Sequence, residues 1–190
     1  GNVLRTIGHM DEAIASYRKS LSFDPASSDA HGKLVYTMMY HPEITDTAIY
    51  DEAIRWGARH SYQGVITEHT NTPIAERKLR IGYLSADFRE HAAGYLLEPL
   101  LANHDHDVVE VYCYAEVQHP DHVTERFRDY ADHWRTSLGL SDLQLADLIR
   151  EDKIDIAVDC TGHTANNRLS ALTRKPAPVQ VNHFPLHGCT

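Results

Sequence analysis

The sequence predicts an α+α/β chain in which helices over residues 1–60 lead, through a linker at 61–77, into a parallel α/β sheet over residues 78–190. Three observations carry that expectation: apolar residues recur at helical spacing up to His60, periodicity lapses across residues 61–77, and beyond them short apolar runs alternate with helical patterns.

In residues 1–25, GNVLRTIGHMDEAIASYRKSLSFDP, the apolar positions Val3, Leu4 and Ile7 precede a glycine break at Gly8. Ala13, Ile14, Tyr17 and Leu21 then follow along one helical face, so the segment reads as a helical hairpin. The run SSDAHGKLVYTMMY predicts another helix, with Leu34, Val35, Met38 and Met39 turned to a core and an end at His41 and Pro42, because proline pushes the preceding residue out of the helical region. Residues 44–60 make a further helix, with Thr45 as N-cap and Ile49, Ala53, Ile54 and Trp56 as packing positions. Gly64, Asn71 and Pro73 mark residues 61–77 as the boundary between the helical and mixed regions.

Strands are predicted at residues 79–84, 108–115, 133–136, 154–159 and 179–182. Helices are predicted between them at 94–102, 122–130 and 142–151, the last capped by Ser141, with a short helical turn after Ala165. Strand–helix–strand repetition with short links is the pattern of a mainly parallel sheet covered on both faces.

The stretch KLRIGYLSADFREHAAGYLLEPLL, residues 78–101, joins a strand to a helix through a polar turn. Such turns lie at the carboxyl ends of parallel strands, where ligands bind, which gives Ser85, Asp87, Arg89 and His91 a reason to be polar. A second polar turn, CTGHT, follows the strand at 154–159. If both strands are central and parallel, His91 and His163 open onto one crevice, where an imidazole can accept a proton or bond an anion near neutral pH. Asp87 and Asp159 either orient these histidines or cap the following helices, and Gly162 supplies a permissive turn. Cys160 reads either as a nucleophile or as a buried, inert thiol. The His104-Asp105-His106-Asp107 turn carries ligand-type side chains without a further cluster at metal spacing, which favours a solvated turn.

Composition narrows the function classes. A formal net charge of −9 argues against a binder of nucleic-acid backbones. No apolar run approaches the roughly 20 residues of a membrane span, and no secretory signal opens the chain. The three cysteines, Cys113, Cys160 and Cys189, are too widely spaced for a disulfide framework and fit a reducing cytoplasm. GxGxxG after the first strand, GxxxxGK[ST] and GxSxG are all absent, so the usual dinucleotide, P-loop and hydrolase-elbow readings have no support.

Two resemblances add to this. Gly1, Leu4, Ala13, Tyr17 and Pro25 fall at positions of a tetratricopeptide repeat of about 34 residues, with Ser20 where alanine is usual. That register implies about seven preceding residues and further repeats, hence a fragment of a longer chain, since a lone repeat cannot bury its apolar face. With YHPEIT, RKLRIGYLSADFREH, VVEVYCYA, GLSDLQLADLIREDKIDIAVDCTGHT and RKPAPVQV, the chain from Gly1 to Val181 resembles bacterial relatives of the protein O-GlcNAc transferases and plant SPINDLY proteins, glycosyltransferase family 41. The resemblance implies a GT-B architecture of two Rossmann-like domains about a cleft, with residues 78–190 as the truncated amino-terminal half. It implies inverting transfer of GlcNAc from UDP-GlcNAc to protein serine or threonine, in the cytoplasm, with no cofactor or metal. The repeats would present the acceptor proteins, and the fragment alone would be inactive. His91 of DFxxH is the implied active-site histidine, Asp147 a proton-handling residue, and His163 stands where animal relatives carry tyrosine. A SPINDLY-type fucosyltransferase using GDP-fucose and a non-catalytic repeat scaffold are the alternatives. After RKPAPVQV the family continues with tryptophan or a similar residue and LGYPGT, whereas residues 183–190 here read HFPLHGCT.

Overall fold

The computed structural model describes residues 1–64, 68–74 and 76–183. Its amino-terminal part is four helices, α1 (Asn2–Thr6), α2 (Met10–Phe23), α3 (Ser28–Met38) and α4 (Asp46–His60). Gly8, at a φ of 85°, turns α1 into α2, and the Tyr17 hydroxyl donates to Asn2 Oδ1 at 2.6 Å across the pair. Ser27 and Thr45 start α3 and α4 by accepting from the backbone N–H of Ala30 and Ala48, satisfying donors that the first turn leaves unpaired. Ala13, Ile14, Tyr17 and Leu21 of α2 pack with Ala30, Leu34 and Met38 of α3, as their spacing predicts. Ile54 does not pack: it is 54% exposed, while Ala53 and Trp56 are buried.

The remainder alternates strand and helix: β1 (Leu79–Ser85), α5 (Ala92–Ala102), β2 (Val109–Ala115), α6 (His122–Tyr130), β3 (His133–Thr136), α7 (Asp142–Glu151), β4 (Ile156–Asp159), α8 (Leu169–Leu172) and β5 (Val179–Asn182). Among the described residues all strand pairings are parallel, in the order β3-β2-β1-β4-β5. Two-residue alternation divides the side chains between two cores. Tyr83, Val111, Cys113, Ala115 and Val158 lie with Leu97 and Leu101 of α5 and Phe127 of α6. Leu84, Tyr112, Tyr114 and Ala157 lie on the other face with Leu145 and Ile149 of α7 and Leu169 and Leu172 of α8. That second core also contains Val35, Ala53 and Trp56, so α3 and α4 share apolar packing with the sheet although the periodicity breaks between them.

Part of the linker, residues 65–67 and 75, lies outside the described residues, as do residues 184–190, where the sequence departs from the family pattern. The rest of the linker is stitched to the amino end of β4. Asp155 accepts from Arg77 at 2.6 Å through two nitrogens, from Asn71 Nδ2 at 2.7 Å and from the Arg80 N–H at 2.9 Å. Burial pushes the Asp155 carboxyl up, but these donors outweigh it and hold it below the ordinary carboxylate value.

Candidate active site

β1 lies beside β4 with Leu84 opposite Asp159, so their carboxyl ends adjoin. The helix after β1, α5, packs on one face of the sheet, whereas α8, after β4, packs on the other. The two polar turns therefore diverge from the point where the winding reverses, the place at which open parallel sheets form crevices. The turns are tied together: Cys160 N–H donates to the Leu84 carbonyl at 3.0 Å, and Ala86 N–H to Thr161 Oγ1 at 3.4 Å.

In the first turn, Ser85 Oγ accepts from Asp87 N–H at 3.0 Å, and Phe88 is fully buried against Phe127 and Trp134 at ring separations of 5.1 and 5.6 Å. Gly94 lets α5 lie directly on the turn, since a Cβ there would strike the carbonyl oxygens of Arg89 and Asp87, the latter at 2.8 Å. The N-cap of α5 is His91 itself: its Nδ1 lies 3.2 Å from the Ala93 N–H, within reach of a capping bond in the tautomer that leaves Nδ1 unprotonated. Asp87 does not cap the helix. Its Oδ1 receives the Arg89 guanidinium at 3.2 Å and lies 3.5 Å from the same His91 Nδ1. The imidazole is 43% exposed.

The second turn is built differently. Asp159, 3% exposed, accepts from the N–H groups of Thr161 and Gly162 at 3.1 and 3.0 Å and from Asn182 Nδ2 at 2.8 Å. It thus orders the turn instead of capping α8, whose N-cap residue is Arg168. Burial pushes its carboxyl up, and the three donors oppose that. Gly162 takes a φ of 58°, the left-handed conformation foreseen for it. His163 does not share the open position of His91. It is 2% exposed, stands edge-on to Trp56 of α4 at 5.0 Å, and its Nδ1 comes within 3.2 Å of where a Cβ on Gly32 of α3 would be.

Asp147 is brought to neither turn. It is exposed on α7 and lines a cleft of about 360 Å³ with Glu68, His69, Asn71, Arg150 and Lys153, beside the amino end of β4.

Residues 59–189 match the family model for glycosyl transferase family 41. The chain belongs to that family. It is 37% identical over 173 residues to the probable UDP-N-acetylglucosamine–peptide N-acetylglucosaminyltransferase SPINDLY of Oryza sativa subsp. japonica, covering 88% of this chain and 19% of that protein. It is 39% identical over 168 residues to the protein of the same description from Solanum lycopersicum, covering 85% and 18%. Among solved structures, a mutant of Thermobaculum terrenum O-GlcNAc transferase superposes with a TM-score of 0.89 at 38% identity, over 96% of this chain and 35% of that one. The chain thus spans about a fifth of the length of these curated relatives and about a third of the solved one.

Within this family 41 chain, Cys160 and the His104–Asp107 turn are taken up in packing and local hydrogen bonds. Cys160 is wholly buried, and burial pushes its thiol well up, which disfavours the thiolate a nucleophile would need. Cys189 lies outside the described residues. In the His104–Asp107 turn, His104 Nε2 meets the Tyr83 hydroxyl at 2.7 Å and His106 Nδ1 meets Asp132 at 2.9 Å. No group of three or more His, Cys, Asp or Glu is placed to hold a metal ion among the described residues. One feature escapes sequence reasoning: a cavity of about 770 Å³ between α4, α8 and β5, lined by Tyr50, Ile54, Trp56, Leu169, Val181 and Asp159. Its trace in the sequence is the pair Tyr50 and Ile54, four residues apart on the outer face of α4 and both exposed.

Proposed function

We propose that the protein carrying this chain transfers N-acetylglucosamine from UDP-GlcNAc to serine or threonine hydroxyls of proteins, and that these residues form the acceptor-side wall of its site. The observation that carries the proposal is the half-exposed His91 at the β1–β4 switch point, in a chain that superposes on an O-GlcNAc transferase over nearly its whole length.

In the proposed step the acceptor oxygen bonds to the anomeric carbon from the side opposite the diphosphate. The bond from that carbon to the diphosphate oxygen breaks, its electron pair leaves with the diphosphate, and the hydroxyl proton passes to His91 Nε2 directly or through one water. The configuration inverts. No step is assigned to a resident metal or cofactor, and donor binding is assigned to residues outside this chain. His163 supports the wall from behind through Trp56, and Asp147, facing a different cleft, is given no part in transfer. α1 and α2 are proposed as the end of a tetratricopeptide array presenting acceptor proteins, in the cytoplasm. Among the described residues no helix is long and apolar enough to cross a membrane.

The test is turnover by the intact protein with acceptor protein and a panel of UDP-GlcNAc and GDP-fucose. UDP-GlcNAc is expected to be the donor, and His91→Ala is expected to lower kcat/KM by about 100-fold to 10,000-fold. Turnover of GDP-fucose alone would overturn the donor assignment, turnover of neither would favour a scaffold, and an unchanged kcat/KM in His91→Ala would remove His91 from the chemistry.

A further inference from the structure

His91 Nδ1 stands between two partners that make opposite demands. The Ala93 N–H, at 3.2 Å, needs a lone pair on Nδ1, whereas Asp87 Oδ1, at 3.5 Å, needs a proton there. A neutral imidazole carries one proton, so whichever partner prevails at Nδ1 decides what Nε2 offers the crevice. If Ala93 prevails, Nε2 carries the proton and the wall presents a donor. If Asp87 prevails, Nε2 presents a lone pair able to take a proton.

The carboxylate is held in place for this. Asp87 is 8% exposed, its own N–H is bonded to Ser85 Oγ, and its carbonyl lies beneath Gly94 of α5. Arg89 donates to the oxygen nearest His91 and brings a cation to it. Other ionisable side chains near the turn are Asp121 at the start of α6, which accepts from the Glu90 N–H at 2.7 Å, Glu90, which accepts from the Tyr95 hydroxyl at 3.3 Å, and Tyr36 of α3, whose hydroxyl is raised to about 12, mainly by burial and the bond to Tyr40, with a smaller contribution from the Asp87 charge. The Ala93 contact is the one at hydrogen-bonding length here, and Asp87 stands 0.3 Å farther off (3.5 against 3.2 Å); but a bond to an ionised acceptor is roughly twice as strong as one between neutral groups, so a small turn of the half-exposed ring toward Asp87 exchanges the weaker partner for the stronger.

We infer that Asp87 is the positioning residue of the site: it holds the Nδ1–H tautomer of His91 against the Ala93 N–H, leaving Nε2 unprotonated toward the acceptor hydroxyl. The inference rests on the reading of His91 as proton acceptor, and it adds the residue that makes that role available. Asp87 itself touches neither acceptor nor donor.

The experiment uses the intact protein labelled with ¹⁵N-histidine. The ring-nitrogen shifts of His91, identified by their loss in His91→Gln, report which nitrogen carries the proton. In the unsubstituted protein the proton is expected on Nδ1, and in Asp87→Asn on Nε2. Because the wrong tautomer cannot act as base, Asp87→Asn is also expected to lower kcat by about 10-fold to 100-fold while KM moves by less than about twofold. Asp87→Glu, which keeps the charge, should retain the Nδ1–H signal and recover part of kcat. A proton on Nε2 in the unsubstituted protein, or an unaltered tautomer in Asp87→Asn, overturns the inference whatever the kinetics. If Asp87→Asn does not fold, the unsubstituted protein and Asp87→Glu decide by the same signal. If the tautomer shifts as expected but His91→Gln keeps full activity, the hold of Asp87 on His91 stands and the proton-acceptor reading falls.

Discussion

His91 and His163 follow neighbouring strands and look alike as sequence, yet one imidazole is 43% exposed and the other is buried at 2%. The difference comes from what covers each turn. α3 and α4 close over the second through Gly32 and Trp56, while the first is secured from below by Phe88 and leaves its histidine outside. Phe88, fully buried against Phe127 and Trp134, anchors that first turn. Removing a fully buried ring costs about 3–5 kcal/mol, so Phe88→Ala is expected to lower Tm by about 6–20 °C in thermal unfolding, with activity lost in the part that stays folded. The polarity of the first turn and the permissive Gly162 could be read from the sequence. That His91 caps its own helix could not, because histidine is outside the usual set of N-cap residues and Asp87 looked the better candidate.

Among elements, α6 and α7 match their sequence reading residue for residue because local chemistry settles both starts. Asp121 with Thr124, and Ser141 with Gln144, form reciprocal capping boxes. β4 begins two residues later than its apolar run because Ile154 N–H closes the end of α7 onto the Ile149 carbonyl and Asp155 is taken up by Arg77 and Asn71. Between α3 and α4 lies a contact that helical periodicity does not reveal. His31 meets His60 at 2.9 Å and Glu52 at 2.9 Å, and Arg55 reaches the other oxygen of Glu52. Burial lowers both imidazoles from the ordinary 6.5; Glu52 opposes this at His31, and the His31 and Arg59 charges add to it at His60. The unfolded histidines therefore bind more protons than the folded ones below that value, and stability contributed by their neutral forms is lost as pH falls through about 6.5. Denaturation at pH 7.5 and 5.5 is expected to give a lower Tm at 5.5, with a smaller drop in His60→Gln. An equal drop in that variant would assign the pH dependence elsewhere.

At the scale of the molecule, the helical part and the sheet share a core through Val35, Ala53 and Trp56, and Trp56 also donates to the Ser28 carbonyl at 3.0 Å while backing His163. Shared apolar burial makes the two parts unfold together, so a single transition is expected by calorimetry. Trp56→Ala removes about 3–5 kcal/mol of packing and is expected to split that transition, with the amino-terminal helices melting first. Retention of one sharp transition at the original Tm would show that other contacts carry the coupling. The sequence by itself determined the helices, the five strands, the two polar turns and the family likeness, since these rest on periodicity, capping residues and motifs within a few positions of one another. Only the tertiary structure decided that β1 and β4 adjoin, that α3 and α4 cover His163 and leave His91 open, that Asp147 faces another cleft, and that Asp87 and Ala93 compete for one nitrogen. Each of those depends on which surfaces meet once the chain is packed, and pairwise packing between distant segments leaves no periodic trace in a single sequence.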